Sequence, residues 1–319
     1  MTSLIARPLR AAILAAADNT LVRQGVTRYG MRLGARRFVA GETMAEFLPV
    51  AQAAMGQRFA VSATILGESI GEARQTDAVA DEYCELLSRF AEARLDATVA
   101  FKLTQLGLDV AEDLALQNAR RIAAAAAERA NTVRIDMEQS RYVDATLRMY
   151  RRLREERDNV GLALQSYLYR SYDDLRAMLA LSPNLRIVKG AYLEPAAVAY
   201  SKKSDVDKSY LRLVELAFSA DGYTAVATHD SAIIEQVISL AARRALPKQG
   251  RFEFELLYGI GEPVGRELLR LGYRVRLLIS YGSHWFGYLM RRLAERPANL
   301  TFFLRNLLAI PSGEIIRRD

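Results

Sequence analysis

The chain has 319 residues, 51% of them hydrophobic and 25% charged, with 44 Lys and Arg against 37 Asp and Glu and a formal net charge of +7. That balance is globular, too apolar for a disordered chain and too evenly charged for a membrane bundle, and the length suits one large domain or two ordinary ones. The single cysteine, Cys84, excludes an intrachain disulfide and a cysteine-based zinc site. The two histidines, His229 and His284, exclude a histidine-rich metal site, and the thiol count points to a reducing compartment. Residues 1–55 carry apolar residues at helical spacing in the Ala-rich start, in Leu21–Leu33 and in Ala45–Met55, which predicts a helical arm. The apolar run Ala11–Ala17 stops at Asp18, too short to span a bilayer. A cytoplasmic protein is therefore expected, with peripheral contact at the inner face of the membrane left open. After residue 58 the pattern changes to short β-branched runs alternating with amphipathic stretches such as 111–130 and 142–157. Eight strands are predicted: Phe59–Leu66, Ala97–Leu103, Thr132–Met137, Val160–Ser166, Leu185–Lys189, Tyr223–Thr228, Phe252–Leu257 and Tyr273–Ile279.

Eight strand–helix units predict an α/β fold, a TIM-type (β/α)8 barrel with a C-terminal helix over 56–319, preceded by the arm 1–55. An open doubly wound sheet is the alternative, because strand order is not written in the pattern. Polar residues at the strand ends favour the barrel, whose chemistry sits there. They are Glu68 past the first strand, Lys102 at the second, Asp136 and Glu138 on the third and Gln165 on the fourth. Lys189 ends the fifth, Thr228, His229 and Asp230 follow the sixth, and Glu255 lies near the end of the seventh. For Asp230 and Ser280 a helix N-cap is an equally good reading.

Three stretches carry candidate chemistry. In 283–297, SHWFGYLMRRLAERP, Ser283 is a fair N-cap and Pro297 a stop. Tyr288, Arg291, Arg292 and Glu295 share one helical face, Phe286, Leu289 and Leu293 another. Two adjacent arginines make a fork for an anion, most naturally a carboxylate, and a surface salt-bridge stripe is the plain reading. Lys102 and Lys189 stand in apolar runs of a chain with only six lysines (102, 189, 202, 203, 208 and 248). Either could form a Schiff base, as in a barrel aldolase or lyase, or bind a carboxylate or phosphate. Gly259-Ile-Gly261-Glu-Pro-Val-Gly265 has the spacing G-x-G-x-x-x-G, one residue off a dinucleotide fingerprint, and reads as a βα turn. Cys84, in a helical pattern, is assigned no role. The +7 charge admits nucleic acid or an anionic membrane as partner, but the arginines are scattered beside Glu and Asp, so no nucleic-acid binding is expected.

Taken together, AFKLTQLG (100–107), RIDME (134–138), LQSYLYRS (164–171), RIVKGAYLEP (186–195), ATHD (227–230), FEFELLYGI (252–260) and YLMRRLAERPAN (288–299) resemble proline dehydrogenase, a FAD-dependent (β/α)8 family. These stretches cover most of 58–305 in the family's order, and the length looks like the monofunctional bacterial branch. The resemblance implies oxidation of L-proline to Δ1-pyrroline-5-carboxylate, with electrons passing through FAD to a membrane quinone, and no metal. It implies that Arg291, Arg292 and Lys102 grip the substrate carboxylate while Asp136 organises that cluster. Tyr192, Leu257 and Tyr288 would pack around the ring, and Glu68 would be a gate pairing with Arg291. Gln165 and Arg186 would address the isoalloxazine; Lys189, Gly190, Ala191, Thr228, His229 and Glu255 would address the rest of the cofactor. The strand-8 segment Leu278-Ile-Ser280-Tyr-Gly282 departs from the Tyr and Pro usual in the family. Leu278 replaces a tyrosine that lines the ring pocket in many members, which predicts discrimination against 4-hydroxyproline.

Overall fold

The computed structural model describes residues 27, 30–31, 34–67 and 69–295, with side chains through 293. The helices expected at the Ala-rich start and over 21–33 fall almost wholly outside the described residues, and so does Glu68. Eight parallel strands close into a barrel in sequence order: β1 Ala60–Ile65, β2 Ala97–Phe101, β3 Val133–Ile135, β4 Val160–Gln165, β5 Asn184–Val188, β6 Tyr223–Ala227, β7 Phe252–Leu257 and β8 Val275–Tyr281. Closure is made by β1 and β8, paired from Ala60↔Arg276 to Ile65↔Tyr281. The open-sheet alternative is thereby excluded.

The helices are α1 Met44–Gly56, α2 Ala73–Glu92, α3 Glu112–Ala127, α4 Val143–Glu156, α5 Ser171–Arg176, α6 Lys203–Phe218, α7 Ser231–Arg243, α8 Glu262–Arg270 and α9 Trp285–Glu295. Helix α2 shows how they seat. Its Thr76, Ala80, Tyr83, Leu87 and Phe90 recur at three- and four-residue steps and are buried, so one stripe faces the barrel. Outward strand residues such as Val61, Ala63 and Ile279 join these stripes in one core.

Two placements differ from the sequence reading. Helix α1, assigned to the arm, buries Phe47, Ala51 and Ala54 in that same core, so the barrel core extends before residue 56. Helix α9 packs elsewhere. Its Trp285, Phe286, Leu289, Met290 and Leu293 form a separate cluster with Ala35, Phe38, Val39 and Leu66. The Trp285 Nε1 donates to Glu42 Oε1 at 2.6 Å, and Gly282 N to Gly41 O at 3.1 Å, so the segment 35–42 straps α9 down. Because α9 begins at Trp285, Ser283 sits too early to be its cap and instead lies 3.3 Å from His284 Nδ1.

Candidate active site

A cavity of about 700 Å³ opens at the C-terminal ends of the strands. Parallel strands put their last inward residues at one end of a barrel, which is why residues far apart in sequence meet there. Lining it are Lys102, Asp136, Gln165, Arg186, Lys189, Gly190, Ala191, Tyr192, Thr228, His229, Glu255, Leu257, Leu278, Tyr288, Arg291 and Arg292. Every described residue that the sequence marked for substrate or cofactor is therefore brought into one space. Glu138, also marked at a strand end, is not among them. Its carboxylate accepts from Thr104 N at 3.1 Å and Thr104 Oγ1 at 2.6 Å, so it secures the turn after β2.

Two charge clusters organise the cavity. The first is buried. Arg186, midway along β5, donates through Nε to Glu255 Oε2 at 3.0 Å, through Nη1 to Asp136 Oδ1 at 2.5 Å and through Nη2 to Ser62 Oγ at 3.0 Å. Burial pushes its guanidinium down, but the Glu255 and Asp136 carboxylates outweigh that and raise it above its ordinary value. Asp136 thus has Arg186 as its basic neighbour. Arg134 also donates to Glu255 Oε2, at 3.0 Å. Its burial, with Arg186 alongside, lowers its pKa, though a guanidinium remains a cation at neutral pH.

The second cluster is at the rim. Lys189 Nζ donates to Asp207 at 2.6 Å and Asp230 at 2.9 Å, and Lys203 reaches the same two carboxylates. Burial raises the Asp230 carboxyl, but Lys203 and Lys189 outweigh it and hold the group well below the usual carboxylate range. Asp230 precedes α7 but makes no side-chain cap, so its charge is spent on the lysines. With both carboxylates on its Nζ, Lys189 is tied into the rim cluster rather than set free to attack a carbonyl carbon.

The remaining residues fill specific places. Gln165 donates through Nε2 to Met137 O at 3.1 Å, and its buried Oε1 has no partner among the described residues. His229 accepts from Leu257 N through Nε2 at 2.9 Å, tying the ends of β6 and β7. Gly190 has φ +111°, and a Cβ there would lie 2.3 Å from the Tyr167 ring. Its missing side chain thus admits the Tyr167 ring. Lys102 Nζ lies 3.5 Å from Gly67 O. On α9 the Arg292 guanidinium stands over the Tyr288 ring, 5.1 Å from its centroid, and Arg291 lines the same wall. The Gly259–Gly265 stretch carries the chain from β7 into α8, its first three residues forming the turn and the rest opening the helix. A Cβ at Gly259 would fall 1.7 Å from Arg37 O.

Sequence reasoning missed Ser62, Arg134, Lys203, Asp207, Glu253 and Arg276. The last pair is buried at the barrel base, with Arg276 Nε donating to Glu253 at 2.7 Å. Alternation was the available signal: FEFE over 252–255 and RVR over 274–276 put charges at every second strand position.

Charged strand ends around a cavity at the mouth of a closed parallel barrel define a (β/α)8 enzyme. The chain belongs to the proline dehydrogenase family, whose model matches residues 47–305, and it is an oxidoreductase. It is 40% identical over 300 residues to "Proline dehydrogenase 1" of Bacillus subtilis strain 168, covering 94% of this chain and 99% of that relative. It is 41% identical over 304 residues to "Proline dehydrogenase" of Deinococcus radiodurans, covering 94% and 97%. Among solved structures, proline utilization A from Bdellovibrio bacteriovorus, inactivated by N-propargylglycine, superposes with a TM-score of 0.79 at 22% identity. That match covers 94% of this chain and 38% of the other, and shows the shared fold.

Proposed function

We propose that this protein is a FAD-dependent enzyme that oxidises L-proline to Δ1-pyrroline-5-carboxylate and passes the electrons to a quinone. The observation that carries the reading is one cavity combining a two-arginine fork with a cationic excess. Six cationic side chains line it (Lys102, Arg186, Lys189, Lys203, Arg291 and Arg292) against three carboxylates (Asp136, Asp230 and Glu255). That excess suits a pyrophosphate together with a substrate carboxylate. The unpartnered Gln165 Oε1 fits the same cofactor, since a buried acceptor calls for a donor such as a flavin ring N–H.

FAD, when bound, supplies the two-electron acceptor for the hydride leaving the proline ring. Lys102, Arg291 and Arg292 would fix the substrate carboxylate, because hydride transfer depends on orientation. Tyr192, Leu257, Leu278 and Tyr288 would surround the ring and exclude water. Gln165 and Arg186 would hold the isoalloxazine, and Lys189, Gly190, Ala191, Thr228, His229 and Glu255 the ribityl, pyrophosphate and adenylate parts. Among the described residues no helix is long and apolar enough to cross a membrane, and no cluster of metal-ligating side chains occurs. Cytoplasmic placement with peripheral contact at a quinone-bearing membrane belongs to the same proposal. The test is the visible spectrum of the purified protein. A yellow protein that bleaches on anaerobic addition of L-proline supports the reading, and a colourless one, or a spectrum unmoved by proline, overturns it.

A further inference from the structure

The barrel interior holds a buried charge that the proposed chemistry does not use. Arg134 on β3 is buried and does not line the cavity. Its Nη1 donates to Glu255 Oε2, the oxygen that also accepts from Arg186 Nε, each at 3.0 Å. Its Nη2 donates to Asn184 Oδ1 on β5 at 2.8 Å. Between β3 and β5 runs β4, and the β4 residue paired with both Arg134 and Asn184 is Gly161. A Cβ at Gly161 would lie 2.7 Å from the Asn184 backbone oxygen and 3.2 Å from its Cγ. The barrel thus leaves out a side chain where Arg134 and Asn184 meet. Apolar side chains usually fill this layer, and a buried ion pair is seldom worth more to stability than an apolar replacement. Stability alone therefore does not account for Arg134.

We propose that Arg134 is a positioning residue for the redox site: through Glu255 it fixes the Arg186 guanidinium and keeps the charge cluster beside the cavity balanced. The proposal rests on the flavin reading above. Glu255, gripped by two arginines, has one orientation, and Arg186 is left to present its other nitrogens to Asp136 and Ser62. Arg134 and Arg186 together offset Glu255 and Asp136. Without the Arg134 charge the cluster carries one negative charge in excess, in a poorly screening interior beside a group that gains electrons. Reduction of that group then becomes less favourable.

The test is the midpoint potential of the flavin bound by wild type, by Arg134→Met and by the double variant Arg134→Met/Glu255→Gln, with KM and kcat for proline measured alongside. In Arg134→Met the potential moves to more negative values, flavin reduction by proline slows at least about ten-fold, and KM stays within about two-fold. The double variant, balanced again, returns the potential toward wild type. A merely structural role would lower Tm and flavin content while leaving the potential of the bound flavin unmoved, and that result overturns the proposal. Should Arg134→Met not fold, Arg134→Gln removes the same charge while keeping a hydrogen-bond donor toward Glu255. A shift in the same direction supports the proposal, and an unmoved potential overturns it. A wild-type protein without flavin overturns the functional reading and this proposal with it, whereas wild-type flavin with unmoved variants overturns this proposal alone.

Discussion

Arg291 and Arg292 stand in the cavity wall beside Tyr288, and their proposed task is one carboxylate. Removing either charge while keeping an apolar stem tests that task without touching the flavin side. Arg291→Met and Arg292→Met are each expected to raise KM for proline roughly 10- to 100-fold, the equivalent of losing a charge-assisted hydrogen bond of about 1.5–3 kcal/mol. Flavin content should stay near that of wild type. Loss of flavin with unchanged proline kinetics per flavin would refute the assignment. Leu278 makes a subtler claim. It lines the cavity from β8, where its apolar side chain offers no partner to a ring hydroxyl. Leu278→Tyr should therefore narrow the gap in kcat/KM between proline and 4-hydroxyproline. A ratio that does not move sinks the idea.

The element that carries the fork is held from outside the barrel. Helix α9 buries its apolar side against residues 35–39 and Leu66, and the Trp285–Glu42 hydrogen bond sets its first turn. Trp285→Phe keeps an aromatic ring there and removes only that bond to a carboxylate. It should cost about 1.5–3 kcal/mol in urea unfolding, and it should raise KM for proline with flavin content unchanged. A fall in stability with KM untouched would separate the seating of α9 from substrate binding. This strap was not legible in the sequence, because residues 35–42 and 282–285 are joined only by the folded chain. For the same reason β8 ends two residues later than its pattern predicts: Ala40 N donates to Ser280 O and Leu66 N to Tyr281 O, partners no local pattern reveals. By contrast the other strands were legible as short β-branched runs, which the barrel buries on both faces, and the helices at 112–127 and 143–156 from periodicity, since each buries one stripe. The cavity residues were legible too, because a strand-end position is a local fact. Lys203 and Asp207 were missed because their meaning depends on Asp230, which only the closed barrel brings within reach.

Across the whole molecule the barrel interior is a ladder of ion pairs, from Arg276–Glu253 at the base to Arg186–Asp136 at the mouth. Such a ladder ties stability to pH with a definite sign. Burial pushes the Glu253 carboxyl up, but Arg276, Arg134 and Arg274 outweigh it and hold it below its ordinary value. Asp230 is held down in the same way by Lys203 and Lys189. A carboxylate whose folded pKa is depressed contributes stability that is fully present above its unfolded pKa and is lost as pH falls through its folded one. Unfolded carboxylates titrate near 4, so these groups leave stability flat above about pH 5 and erode it progressively below about 4. The urea midpoint of the wild type should accordingly fall between about pH 5 and pH 3. Removing both members of the base pair together, as Glu253→Gln with Arg276→Met, avoids leaving a buried charge unpaired, which alone costs roughly 3–5 kcal/mol. That double variant should lose less of its midpoint over the same interval. An equal loss in both proteins would place the acid sensitivity elsewhere, and Asp230→Asn, neutral at every pH, would then show whether the rim cluster carries it.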